Sequence, residues 1–458
     1  MTMKLLLFFG TSGARFLGLL LLSAGLSHSL NAAPASTNPD YTVSVFANAP
    51  KGLSNPDSIT YYKGTIFIEY ANGTQPAGTG GDSTIVQFGS TGKVLRTYRI
   101  PGKVDGLKYN PFDGKIWALQ NEDANPSLTL IDPVSGTLKH YRYAAPTLHG
   151  GGYDDVVFLN GQVFISASNP NLQPPTPSAP NGQNIFPSII KATIEGEQVE
   201  VEPVLMGNAN LIDVTTGQSV VAQQSDPDSL KVDPSGNLVL DSQQDGDLIF
   251  LNAPGAPNQV GYRLHLSNGT STQVTVDDSV FPTQASGTIY VADTPANVVY
   301  AVTSTVFPPN SAFSASDTTG VLGRVDLTTG QLIPVITGMQ SPHGALFVPS
   351  LPEVRLDQVS SSAGAGSTES ALLRVSRTGG VSQALPVFLS ISDSETHEST
   401  SQAATIPPGA SSTIVTVHFK PIGGSKRVVV SIQPDPNYNV VPDIVNTAVQ
   451  ALPEPLPR

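Results

Sequence analysis

The stretch Asp226–Leu251, DPDSLKVDPSGNLVLDSQQDGDLIFL, alternates short apolar runs with Asp- and Gly-bearing turns. It reads as three antiparallel strands: SLKV, NLVLDS and DLIFL, joined by Pro-Ser-Gly and Asp-Gly turns. Three roles fit its carboxylates: a local calcium loop, a catalytic loop, or one copy of a repeat whose Asp fixes a turn. The segment QQDGDLIF lacks the downstream Glu of a calcium loop, so a turn is expected there.

Self-similarity favours the repeat. NPDSITY, KVDGLKY, GYDDVVF, VDDSVFP and SPHGALF align with DPDSLKV, placing Asp57, Asp105, Asp154, Asp228, Asp278 and His343 in one column. In the five Asp copies a Gly follows and opens an apolar strand: GTIFIEY, GKIWALQ, GQVFISA, GNLVLDS and GTIYVAD. Units of four strands recurring at about 50 residues predict the blades of a β-propeller, because one blade cannot bury both sheet faces and must stack on neighbours. Two spacings are longer, and NPNLQPPTPSAPNGQN and STVFPPNSAFSASDTT are expected to be surface insertions there. The sixth copy lacks a following Gly-strand, and YTVSVFA near the N-terminus is the candidate to close its blade. The fold class is therefore all-β, a propeller of six blades over residues 41–350, with five or seven as alternatives.

Composition agrees. Of 458 residues only 13% are charged, while Gly (42) and Pro (39) are abundant, which suits strands and tight turns. The net charge of −13 excludes a basic nucleic-acid footprint. No cysteine is present, which removes thiol catalysis, Cys-based zinc sites and disulfides. Lys4 and Arg15 precede the apolar run FLGLLLLSAGL and the small-residue stretch SHSLNAAPAS, the layout of a secretory leader over residues 1–35. Cleavage after Ala32 or Ala35 would give a secreted or periplasmic protein with no later membrane span; an uncleaved anchor is the alternative.

The PDS and DG turns, with DGKIWALQ…LIDPVSGTLKHY and GTIYVADTPANVVYAV, resemble the propeller group of NHL-repeat proteins, SMP-30/gluconolactonase-like enzymes and streptogramin lyases. Beyond Leu351, RVSRTGG, IPPGASSTIVTV and PNYNVV resemble a Calx-β domain and imply a β-sandwich over residues 351–452. Calcium-binding members carry carboxylates where this chain has GGSKRVVV. Lys426 and Arg427 oppose calcium there, so adhesion or packing against the propeller is expected instead.

The resemblance implies a divalent cation, calcium or magnesium, held by Glu, Asn and Asp at the channel mouth. Candidate ligands are Glu69, Asp105, Asn121, Asp154, Asp228, Asp241, Asp278 and Asp293, with Asp57, Glu122 and Asn169 in related places. The competing role for each is local: an Asp before a strand bonds nearby backbone amides, and a feature repeated in every blade suits a fold requirement. His149, in TLHGGGYDDVVF, and His343 are the candidate bases. No Gly-x-Ser-x-Gly elbow, His-Glu-x-x-His helix or phosphate loop occurs. Two functions remain: a non-enzymatic module binding a protein, glycan or small molecule, or a metal-dependent lactonase-like hydrolase or lyase.

Overall fold

The computed structural model describes residues 33–458 apart from 271, 309–310, 363–368, 394–398, 420–426, 434, 436, 441–446 and 451–458. The expected leader before Ala33, Lys426 and the tail ALPEPLPR lie outside the described residues. Among those residues no helix is long and apolar enough to cross a membrane, and every regular element is a strand, apart from isolated bridges and turns.

Six four-stranded units form a closed ring. Their inner strands are Pro56–Tyr62, Val104–Asn110, Val156–Leu159, Pro227–Val232, Asp278–Val280 and Pro342–Pro349. Each touches the next, and the sixth touches the first. The chain is a six-bladed propeller. Blades one to four run in sequence order from the inner strand outward. The outer strands of blades two and three, Leu138–Tyr143 and Gln198–Met206, pair in parallel and fuse the two sheets at the rim.

Period-two alternation explains the ring. In blade one, Ile66, Ile68 and Tyr70 of TIFIEY enter the core shared with blade six, while Phe67 enters the core shared with blade two. In blade four, Leu238 and Leu240 face blade three while Val239 faces blade five. Each sheet thus feeds two cores, and six such cores lie between neighbouring blades. Full burial of a side chain such as Phe67 contributes about 1.5–3 kcal/mol, and each blade makes this gain against both of its neighbours.

Blades five and six correct the expected strand assignment. GTIYVAD does not continue the Asp278 copy. Gly287–Asp293 pairs with Pro342–Pro349 in blade six and carries Val298–Ser304 with it. Blade five is completed by Ala312–Ser316, Val321–Val325 and Leu332–Thr337. STVFPPNSAFSASDTT is therefore not wholly a surface insertion, because every residue of Ala312–Ser316 is buried. The longer spacing before His343 comes from this exchanged hairpin. The strand Thr42–Asn48, which includes most of YTVSVFA, pairs with Val298–Ser304 and supplies the outer strand of blade six. By contrast, NPNLQPPTPSAPNGQN forms no strand and lies largely exposed.

After the ring, two four-stranded sheets enclose one core. Leu356, Leu373 and Val417 come from one sheet, and Val387, Leu389 and Val430 from the other. This is a β-sandwich.

Candidate functional site

The inner strands meet around a cavity of about 310 Å³ at the mouth of the channel. Two ways of starting an inner strand aim its acids there. In blades one, two and four the pairing register slips between Pro56 and Ile59, Val104 and Leu107, and Pro227 and Leu230. These bulges turn Asp57, Asp105 and Asp228 toward the cavity. A matching slip in blade six, between Val291 and Asp293 on the partner strand, does the same for His343.

Blades three and five lack the slip and carry two consecutive acids instead. Asp154 and Asp277 reach the mouth, while Asp155 and Asp278 each bind backbone amides of the following inner strand. Leu230 N–H donates to Asp155 Oδ2 at 3.1 Å, and Ala345 N–H to Asp278 Oδ2 at 2.7 Å. Asp278 still borders the cavity, but it is committed to this bond and to an ion pair with Lys231. The groups that gather with His343 are Asp277 and Asp57. The small residue after the Asp has its own reason: a Cβ on Gly106 would collide with the backbone carbonyl of Asp154 in the next blade.

Ten carboxyl side chains line the cavity, against the cations Lys103 and His343. Asp105, Glu122 and Asp154 place oxygens within 4.8 Å of one another, and so do the donor atoms of Asp57, Asp277 and His343. Lys103 Nζ pairs with Asp105 and lies 2.6 Å from Glu122 Oε1. His343 Nδ1 lies 3.0 Å from Asp277 Oδ1 and 4.0 Å from Asp57 Oδ1.

This crowding sets the protonation states. Burial, with neighbouring carboxylates, pushes the Asp105, Asp154 and Asp228 carboxyls well above the usual range. Burial lifts Asp57 to about 6 against the pull of His343 and Lys103, and lifts Asp226 to about 6 with Glu122 and Asp245 adding to it. Glu122 goes the other way, to about 2. Burial alone would raise it, but Lys103 and hydrogen bonds from the Asp105 and Asp154 carboxyls hold it ionised. Burial works against a charged His343, yet Asp277 and Asp57 raise it to about 10. The mouth therefore favours an ionised Glu122 beside Asp105 and Asp154 carboxyls that resist ionisation, with His343 favoured as an imidazolium. An arriving cation would displace protons as well as water.

Several expected ligands lie elsewhere. Glu69 shares the sheet face of Phe67 and is buried between blades one and two, where Ser83 Oγ donates to Oε1 at 2.6 Å. Asp241 is its counterpart between blades four and five, accepting from Ser279 Oγ at 2.8 Å. Burial raises both carboxyls well above their ordinary value. Asp293 binds the Gln340 and Ser341 amides that lead into the last inner strand. Asn121 holds a left-handed turn, accepting from Lys103 N–H and donating to the Asn125 carbonyl. Asn169 donates to the Asp123 carbonyl.

His149 does not join His343 at the mouth. It is fully buried against Tyr153, with Nε2 2.6 Å from the Gly152 carbonyl, and burial lowers its pKa. Sequence reasoning passed over Lys103, Asp123, Asp277 and Asp317. The paired Asp of VDDSV and GYDDVV was the available signal for Asp277. In the opening stretch, Asp233 caps its own turn and Asp245 accepts from Ser225 and Ser242, so only Asp226 and Asp228 border the mouth.

No family model matches the chain, and no curated protein matches it in sequence. Among solved structures it is similar to a catalytically inactive virginiamycin B lyase from Staphylococcus aureus with quinupristin. That match has 13% identity and a TM-score of 0.36, covering 86% of this chain and 96% of the lyase. A putative gluconolactonase matches at 9% identity and TM-score 0.39, over 74% of this chain and 94% of its own. A putative 6-phosphogluconolactonase from Bacteroides uniformis matches at 10% and 0.32, over 63% and 73%. No activity follows from likenesses at this level.

Proposed function

We propose that the protein is an exported binding module that captures a divalent cation at the mouth of its propeller channel and, through it, an extracellular or periplasmic ligand. One observation carries the reading: ten carboxyls from five blades face a single small cavity that holds two cationic side chains. Carboxylate oxygens at this density suit calcium or magnesium, which take oxygen ligands. The donors would come from Asp105, Glu122 and Asp154 on one side, and from Asp57 and Asp277 on the other. The C-terminal sandwich, Calx-β-like in its turns, would serve adhesion or packing. Its Gly380 lies against Gln284 of the propeller.

Calorimetry and thermal melting with calcium, magnesium and manganese test this. Stoichiometric binding should stabilise the fold by about 2.7 kcal/mol at a hundredfold excess over Kd. Glu122→Gln should abolish binding without unfolding the chain. An absence of binding at millimolar cation, in a folded protein, would overturn the reading.

A metal-dependent lactonase-like hydrolase or lyase is the second reading. It is favoured by the His343–Asp277 pair beside the acidic cluster, which would supply a proton donor next to a metal-polarised carbonyl. Metal-dependent turnover of lactones, lost in His343→Gln with cation binding retained, would select it over simple binding.

A further inference from the structure

Lys103 opens the segment that enters the second inner strand. The corresponding residues of the other copies are Asn55, Gly152, Asp226, Val276 and Ser341, none of them a cation, so the ring itself does not call for an ammonium there. The backbone at this point is fixed. Lys103 N–H donates to Asn121 Oδ1 at 3.1 Å, and Asn121 N–H donates to the Lys103 carbonyl at 2.7 Å. Gly102, at φ +76°, lies so close to the same carboxamide that a Cβ would collide with Asn121 Oδ1. Movement is left to the Lys103 side chain, which reaches into the cavity and is 14% exposed. There Nζ donates to Asp105 and, at 2.6 Å, to Glu122 Oε1. These two acids form, with Asp154, the trio whose oxygens lie within 4.8 Å of one another. The trio is thus already served by a cation that the chain itself carries.

We propose that Lys103 is a tethered competitor for the Asp105–Glu122–Asp154 trio, displaced by a divalent cation and not by a monovalent one. This role rests on cation capture at the mouth and adds to it a selection by charge. An ion held by carboxylate oxygens at about 2.3–2.6 Å needs the oxygens that the ammonium now occupies. The two cannot share them, because like charges a few ångströms apart in a partly buried site repel strongly. Exchange of a tethered ammonium for a free ion of equal charge costs entropy and brings no electrostatic gain, whereas a divalent ion doubles the charge among the same acids. Asp57 and Asp123 border the same cavity and offer the released ammonium a counter-charge.

The test compares the full-length wild type with Lys103→Met by calorimetry with calcium. In the wild type it also follows Lys103 by reductive methylation with formaldehyde and a borane, read by peptide mass spectrometry. An ammonium seated for more than about nine-tenths of the time weakens the apparent Kd at least tenfold, so the variant should bind calcium tighter by about that factor or more. Saturating calcium should speed methylation of Lys103 several-fold and leave Lys115, which pairs with Asp132, unchanged. Sodium chloride of equal ionic strength should leave Lys103 protected. The variant removes a charge as well as a competitor, and methylation separates the two, since an ammonium acting only at a distance would stay in place. Calcium that saturates the wild type without changing Lys103 methylation would overturn the proposal, as would equal affinity in the two proteins or release by sodium. Calcium binding to neither folded protein would overturn cation capture itself and the competition with it. Binding to the variant alone would uphold the competition and overturn capture by the wild type.

Discussion

His343 Nδ1 and Asp277 Oδ1 lie 3.0 Å apart, although one residue begins the last inner strand and the other precedes the inner strand of blade five. The pair exists because a bulge turns His343 inward while the regular start of blade five leaves Asp277, rather than Asp278, at the mouth. Burial disfavours the imidazolium, but Asp277 and Asp57 outweigh it and raise the pKa to about 10. A folded pKa above the unfolded one gives stability that is complete below about 6.5 and lost as pH rises through about 10. Histidine-resolved NMR should show His343 protonated at pH 8. In Asp277→Asn it should titrate at least one unit lower. A neutral His343 at pH 7 in the wild type would contradict the geometry.

The carboxyls at the mouth lose stability in the same direction, but in a lower pH window. Asp57, lifted to about 6 chiefly by burial, binds a proton more tightly folded than unfolded, and Asp226 does the same. Their contribution is present below the unfolded pKa near 4 and is lost as pH climbs through 6. For buried Asp57 alone this is on the order of 3 kcal/mol. In chelator-containing buffer the melting temperature should therefore fall between pH 5 and 7. Calcium should restore it at pH 7, where the ionised carboxyls need a counter-charge. A melting temperature that stays flat across this window would show that the carboxyls do not hold their protons.

Glu69 and Asp241 separate structural acids from the site. Each is buried between blades and receives a serine hydroxyl, Glu69 from Ser83 on the adjacent strand of its own blade and Asp241 from Ser279 in the next blade. Ser83 Oγ in turn accepts the Val104 N–H at 2.9 Å, so Glu69 anchors the start of the second inner strand. Glu69→Gln and Asp241→Asn keep the shape and the acceptor, and should shift stability by less than about 1 kcal/mol while leaving cation binding intact. Ser83→Ala strips the Val104 amide and the Glu69 carboxyl of a partner, and should cost about 1–3 kcal/mol. Denaturant melts of the three variants decide it. Loss of cation binding in Glu69→Gln at wild-type stability would return Glu69 to the site.

The ring was readable because alternation is local: TIFIEY and LVLDS show on their face which residues point to which neighbour. The same alternation would have excluded Glu69 and Asp241, since they follow Phe67 and Val239 on faces that meet the next blade. The blade exchange left no local trace. GTIYVAD satisfies the repeat pattern whichever inner strand it joins, and only pairing over some fifty residues decides. Nor could the sequence separate Asp277 from Asp278, because a one-residue bulge, present in four blades and absent from two, turns the column. Lys103 opens the aligned segment KVDGLKY, but the other copies carry no lysine at that position, and its role depends on acids from neighbouring strands.

The N-terminal segment should act as a double clasp. Thr42–Asn48 is the outer strand of blade six. Just before it, Ala35 and Ser36 pair with Thr337 and Ile336 of blade five, and Thr37 N–H donates to the Val335 carbonyl at 2.9 Å. Tyr41 lies between the two, its ring 5.5 Å from Phe307 and 5.9 Å from Phe313. Removing residues before Tyr41 loses few bonds and should lower the melting temperature by a few degrees. Removing residues through Asn48 strips blade six of its outer strand and opens the core shared with blade one, so cooperative unfolding should be lost. The clasp also discriminates between the two cleavage points of the proposed leader. Cutting after Ala35 would split Ala35 from Ser36 and discard half of the pairing with blade five, whereas cutting after Ala32 keeps it. N-terminal sequencing of the exported protein should therefore begin at Ala33, and a mature chain beginning at Ser36 would show that the first half of the clasp is dispensable.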